Sequence, residues 1–150
     1  MNMQYSLDGL HLTEEGEGIR LKAYPDPATH GEPWTIGYGH TGGVQPGDTC
    51  TQEQAEAWLA EDIQTAVDAV NRLVTADLTQ HQFDACVDFT FNAGAHNFAG
   101  STLLRLLNSG DTEAAAEQFK RWDVAGGAHL AGLAHRRAME TALFEQPDQP

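Results

Sequence analysis

Apolar residues recur every three or four positions through residues 51–74, where Ala55, Trp58, Leu59, Ile63, Ala66, Val67, Val70, Leu73 and Val74 share one side of a helical wheel. That run amounts to about six turns of amphipathic helix, on the order of 35 Å. Thr51-Gln52-Glu53-Gln54 opens it as a capping box, with a hydroxyl at the cap and an amide side chain three residues on. A second box, Thr79-Gln80-His81-Gln82, opens a helix carrying Phe83, Cys86, Val87, Thr90 and Phe91, which stops at Asn92-Ala93-Gly94. Shorter helices are predicted from Ser6 to Gly18, with Ser6 as N-cap and Leu7, Leu10 and Leu12 as its apolar positions, and from Ser101 to Asn108. Asp111 caps a further one through Ala114, Phe119 and Trp122. Gly126-Gly127 reads as a turn, Leu133 to Phe144 as the last helix, and Pro147 to Pro150 as a tail.

Residues 19–50 break this pattern. Glycine and proline become frequent, and between them lie short strand-like pieces at Ile19 to Tyr24, at Trp34 to Tyr38 and near Cys50. The chain therefore reads as α+β. A small N-terminal lobe of about residues 1–50 carries a short antiparallel sheet. A connecting helix of about 51–74 leads to a helical C-terminal lobe of about 75–146, and residues 147–150 trail behind. At 150 residues these lobes make a single domain.

Charge narrows the range of partners. Twenty-two acidic against eight basic residues give a formal charge of −14, which repels phosphate and excludes a nucleic-acid partner. No run approaches the length of apolar chain needed to span a membrane, and Met1 to Ser6 lacks the basic and apolar regions of a signal peptide. Synthesis in a reducing cytosol without a leader is the expectation. Cys50 and Cys86 match no zinc or redox spacing, and buried free thiols are the simpler reading than a disulfide. Seven histidines raise the question of a metal, but none stands in a His-Glu-x-x-His spacing, so neither metal nor other cofactor is expected.

The candidate chemistry begins at Glu17-Gly18-Ile19-Arg20-Leu21-Lys22-Ala23-Tyr24-Pro25-Asp26, which puts one carboxylate where a helix ends and another beyond a short strand. Hydrolysis of a glycosidic bond needs a carboxylic acid to protonate the leaving oxygen. A second carboxylate then activates water or attacks carbon directly. In so acidic a chain that spacing is common, and Glu14 and Glu15 lie close by. The text that follows, Trp34-Thr35-Ile36-Gly37-Tyr38-Gly39-His40-Thr41, makes the difference.

Together these segments resemble the phage-type lysozymes, the endolysins of glycoside hydrolase family 24. The likeness continues through Phe91-Asn92-Ala93-Gly94, Ser101-Thr102-Leu103-Leu104, Trp122 with Gly126-Gly127, and Gly132-Leu133 with Arg136-Arg137 ahead of Glu140. It runs in order over roughly residues 7–144. The resemblance implies a lysozyme-like fold and a monomeric N-acetylmuramidase acting on peptidoglycan glycan strands, at the β-1,4 bond from N-acetylmuramic acid to N-acetylglucosamine. It assigns the catalytic set to Glu17, Asp26 and Thr35. Glu17 would be the general acid. Asp26 would hold or activate water, stabilise positive charge at the anomeric carbon, or act as nucleophile, and Thr35 would orient the water. His40 would form an ion pair with Asp62 on the long helix.

The stretch Pro27-Ala28-Thr29-His30-Gly31-Glu32-Pro33 is longer than is usual in the family and reads as an extended turn between two strands. A hairpin can lengthen at its tip without moving its base, because loop-closure cost grows slowly with length. Glu32 thereby joins the acids near the site. Trp34 and Tyr38 are candidate sugar contacts, with core packing as the alternative for both and for Phe98. Arg136 and Arg137 either meet stem-peptide carboxylates or pair with nearby glutamates. The acidic charge and lack of a wall-binding module suit thin peptidoglycan, reached in the periplasm after release through a membrane pore. The competing functions are a silent glycan-binding or scaffolding module and a lytic transglycosylase.

Overall fold

The computed structural model describes residues 2–148; Met1, Gln149 and Pro150, the last two belonging to the expected tail, lie outside the described residues. The elements run α1 (Leu7–Glu17), β1 (Arg20–Tyr24), β2 (Thr35–Gly37), α2 (Gln52–Leu73), α3 (Gln80–Ala93), α4 (Ala95–Ala99), α5 (Thr102–Asn108) and α6 (Thr112–Ala116). A 3-10 turn (Phe119–Arg121), β3 (Val124–Ala125), β4 (Ala128–His129) and α7 (Ala131–Glu145) complete the chain. The α+β class is what the patterning predicts. The chain forms two compact units, residues 13–64 on the one hand and, on the other, the segment up to Leu12 together with the chain from Thr65 onward. The boundary therefore falls inside α1 and α2, not at residues 50 and 75 as the composition change suggested.

In the 13–64 unit, β1 and β2 pair antiparallel, with Arg20 opposite Gly37, Tyr24 opposite Thr35 and an irregularity between. The strand expected near Cys50 is reduced to a single bridge, Lys22 with Thr49, flanked by Ala23 N–H to Asp48 C=O and Cys50 N–H to Leu21 C=O, both 2.9 Å. Ile36 and His40 exchange two backbone hydrogen bonds of 2.9 Å, which closes a tight turn. Gly37 (φ 66°) and Gly39 (φ 76°) supply the left-handed conformations that this turn needs. The Thr51 box forms as read, with Gln54 N–H on Thr51 Oγ1 and Thr51 N–H on Gln54 Oε1, each 3.1 Å. Ala23, Ile36, Tyr38, Ala55, Leu59 and Ile63 are buried and make this unit's core.

The helical unit is organised around α3. Its N-terminus carries the Thr79 capping box, and its residues from Phe83 to Thr90 are all buried, so it is covered on every side. Phe89 meets Phe98, Phe119 and Trp122 edge-on at 6.2, 5.8 and 5.4 Å between ring centres. Such pairs add about 0.5–1.5 kcal/mol each beyond their burial. Phe98 is core, as its alternative reading had it. Cys86 is a buried free thiol, its ionisation suppressed by burial, and Cys50 is also free. The Gly126–Gly127 turn joins β3 to β4, a two-residue hairpin with φ of 60° and 81°.

Four ionisable side chains are buried with this core. Arg136 donates Nε and Nη2 to the two oxygens of Asp88 at 3.0 and 2.8 Å. Arg137 places Nη1 2.6 Å from both oxygens of Glu140, donates Nε to Trp122 C=O at 3.0 Å, reaches Asn92 Oδ1 with Nη2, and lies 5.0 Å over the Phe89 ring. Arg136 is 4% exposed and Arg137 1%. A role for either as a surface contact for substrate is thereby corrected: their guanidiniums are spent inside the protein, on an aspartate as well as a glutamate. Burial, and then the neighbouring Asp88 carboxylate, push Glu140 well above the usual carboxylate range, against the pull of Arg137.

Residues 4–8 and 146–148 converge on the first turn of α3. Ser6 bonds Asp84 through its N–H (3.1 Å) and its hydroxyl, and Gln80 Nε2 donates to Gln4 C=O at 2.9 Å. From the other segment, Asp148 accepts the N–H groups of Gln80 and His81 at 3.0 and 3.2 Å, satisfying two donors left over at the helix start. The buried His81 ring lies between the two segments, with Nε2 2.9 Å from Asp8 Oδ2 and Nδ1 3.2 Å from Gln146 C=O. The Asp8 hydrogen bond is the largest influence raising His81 above 6.5, outweighing burial.

Two outcomes follow for stability. Glu140→Ala strands a guanidinium that cannot lose its proton, and urea unfolding should show a loss of about 3–5 kcal/mol, with Glu140→Gln losing less because it keeps an acceptor; a loss of under about 1 kcal/mol for the alanine variant would contradict the buried-pair account. For His81 the folded state holds the proton more tightly than the unfolded. Its stabilisation is thus complete below the unfolded value of about 6.5 and fades as pH rises through the higher folded value. The Tm difference between wild type and His81→Gln should be larger at pH 6 than at pH 9.

Candidate functional site

Glu17 is the last residue of α1. Gly18, at φ 69°, ends the helix there, donating its N–H to Glu14 C=O at 2.9 Å. The acid is thus carried on a rigid element and stands where the chain turns into β1. Its carboxyl, half-buried, lies against the Ile36–His40 turn: a β-carbon built on Gly39 would sit 3.1 Å from Glu17 Oε2 and 3.4 Å from its Cδ. Any larger residue at this left-handed position would crowd the acid. The Gly-Tyr-Gly-His motif therefore does two jobs, because a β-carbon on Gly37 would lie 3.1 Å from that of Ala55 on α2. Sequence reading did not assign Gly39 a role, although a glycine alternating with bulky residues in a strand-like run signals close backbone approach.

Asp26 follows β1 by two residues, and Thr35, half-buried, opens β2 opposite Tyr24. Strand pairing thus brings Asp26 and Thr35 to the same end of the hairpin, while Glu17 precedes the other end. The long turn between them is ordered by Asp26 itself. Asp26 Oδ1 accepts the N–H groups of Ala28 and Thr29 at 2.7 and 3.2 Å. Its backbone N–H donates to Gly31 C=O at 2.9 Å and its C=O accepts from His30 at 2.8 Å. Oδ2 takes no hydrogen bond among the described residues.

Tyr38 is 6% exposed, so its ring has no face for a sugar and the sugar-contact assignment is corrected to core. Burial, followed by the nearby Glu14 and Glu56 carboxylates, raises its hydroxyl above 10. Trp34 keeps part of its surface and lines a concavity of about 490 Å³ with Glu32, Pro33, Thr41, Gly43, Val44 and Gln45. His40 Nδ1 lies 2.8 Å from Asp62 Oδ2, and its ring stacks on Trp58 with centres 4.6 Å apart and planes 7° from parallel. Asp62 and Trp58 are one helical turn apart on α2, and together they hold the last residue of the turn that meets Glu17. Among the described residues no three His, Cys, Asp or Glu side chains stand close enough to hold a metal ion.

Against known proteins, residues 14–140 match the family model described as Phage lysozyme. The endolysin of Acyrthosiphon pisum secondary endosymbiont phage 1 is 46% identical over 147 residues, covering 95% of this chain and 99% of that protein. The endolysin of Bacillus phage PZA is 46% identical over 143 residues, 95% of this chain but 55% of its own length, so the chain spans about half of that relative. Among solved structures, the muramidase domain of SpmX from Asticaccaulis excentricus superposes with a TM-score of 0.89 at 41% identity, covering 96% of this chain and 99% of that one. With its α+β fold, its hairpin and its helix-terminal acid in the order the motifs prescribe, the chain belongs to the phage lysozyme family.

Proposed function

We propose that the chain is a muramidase that hydrolyses the β-1,4 bond from N-acetylmuramic acid to N-acetylglucosamine in peptidoglycan. The observation that carries this reading is the half-buried carboxyl of Glu17, fixed at the broken end of α1 against the Gly39 backbone. The names of the relatives, endolysins and a muramidase domain, support it.

In the proposed reaction, Glu17 gives its proton to the bridging oxygen as the bond from the anomeric carbon breaks. A water held by Asp26 Oδ2 and the Thr35 hydroxyl adds to that carbon, and its proton passes to Asp26. The four steps of β1 separate the backbones of Arg20 and Tyr24 by roughly 13 Å. With the two acids at opposite ends of that strand, we adopt the reading with water between the carboxylates, an inverting outcome. Trp34 offers a sugar-ring contact, and the His40–Asp62 pair serves to hold the turn. The protein acts as a monomer, on thin peptidoglycan in the periplasm. No helix among the described residues is long and apolar enough to cross a membrane.

Glu17→Gln should reduce turnover of purified peptidoglycan by at least about 10²-fold with an unchanged circular dichroism spectrum. Equal rates for variant and parent end the assignment. Mass spectrometry of the products should show hydrated reducing ends; 1,6-anhydro ends would make the enzyme a lytic transglycosylase. Gly39→Ala, which presses on the Glu17 carboxyl from a left-handed position, should lower kcat about tenfold or more, and wild-type kcat would show that the contact does not position the acid.

A further inference from the structure

The residues between Asp26 and Thr35 form an ordered structure with almost nothing to bury. Pro27, Ala28, Thr29, His30, Glu32 and Pro33 are all exposed, so apolar packing cannot order the segment. Hydrogen bonds must do so, and they converge on two residues. One is Asp26, which through Oδ1, N–H and C=O takes part in four of them. The other is Thr29. Its hydroxyl donates to Glu32 C=O at 2.7 Å and accepts the N–H of Gly31 at 3.3 Å, while its own N–H is one of the two on Asp26 Oδ1. Among the described residues, Thr29 has the only side chain of the segment 27–33 that forms a hydrogen bond.

We propose that this segment is a clamp that fixes the rotation of the Asp26 carboxylate, and that Thr29 is its positioning residue. The inference rests on the reading of Asp26 as the group that holds water. The torsion that turns a carboxylate about its last bond is broad and roughly two-fold, so nothing in the side chain itself selects an orientation. Two N–H groups on Oδ1, one at 2.7 Å, select one, because hydrogen bonds to an ionised acceptor are about twice as strong as neutral ones. Oδ2 is then the oxygen left for water. The donors hold their places only while the segment keeps its shape, and the Thr29 hydroxyl closes the far side by joining residues 31 and 32 to residue 29. The length of this turn is thus part of how Asp26 works. Thr29 itself touches no reacting atom.

The test measures kcat and KM on solubilised peptidoglycan fragments for Thr29→Ala, Thr29→Ser, Asp26→Asn and the double variant Asp26→Asn with Thr29→Ala. Thr29→Ala should lose about tenfold in kcat, with KM within about twofold and Tm close to wild type, since its side chain is exposed. Thr29→Ser should recover most of the loss. Adding Thr29→Ala to Asp26→Asn should cost nothing more, because the residue acts only through the carboxylate. An inactive Asp26→Asn beside a Thr29→Ala of wild-type kcat overturns the clamp and leaves the catalytic reading standing. Losses that multiply in the double variant, or that track a fall in Tm, also overturn it. A fully active Asp26→Asn removes the water-holding role of Asp26 and the clamp with it.

Discussion

Antiparallel pairing of two short strands governs the placement of the candidate groups. With Tyr24 opposite Thr35 and Arg20 opposite Gly37, one end of the strand pair holds Thr35 with Asp26 just beyond it, while the helix that delivers Glu17 enters at the other. A slip of one residue would turn every side chain of β2 to the opposite face, burying Thr35 and exposing Ile36, which is 1% exposed. Ile36 in the core therefore holds the register. Its reciprocal bonds with His40 start the next turn from the same position.

That turn transmits the register to the acid. His40 is held by Asp62 and by the Trp58 ring, Ile36 by the core, and Gly39 between them lies against the Glu17 carboxyl. No single one of these contacts is strong. An exposed or half-exposed ion pair contributes little alone, and stacking adds about 1 kcal/mol. Their effect is geometric: five consecutive residues are left with one arrangement, and a helix terminus is docked against it.

The sequence made the local signals legible. Both capping boxes and the Asp111 cap could be read because each depends on residues within one turn of each other, and dense glycine and proline marked the strand-bearing interval 19–50. The candidate acids were legible only through the ordered family motifs, since spacing alone does not distinguish Glu17 from Glu14. What escaped was set by distant partners. Leu7 counts as apolar by pattern yet is 69% exposed, because α1 buries Gly9, Leu12 and Thr13 instead. Pairing with a nearby glutamate was one of the two readings open for Arg137, but the partner of Arg136, Asp88, stands far back in the chain and left no local sign. Helix α4 has five residues and no side-chain cap, and β3–β4 has two residues per strand without strand-forming pairs. Neither leaves a periodic trace.

The meeting of residues 4–8 and 146–148 on the first turn of α3 makes that turn a shared hinge-pin. Loosening of residues 4–8 withdraws Asp8 from His81, and loosening of residues 146–148 withdraws the acceptors that Gln80 and His81 rely on. Local loosening, ordinarily confined to the segment concerned, is here a joint event, so a change at residues 146–148 is felt by α1 through one imidazole ring.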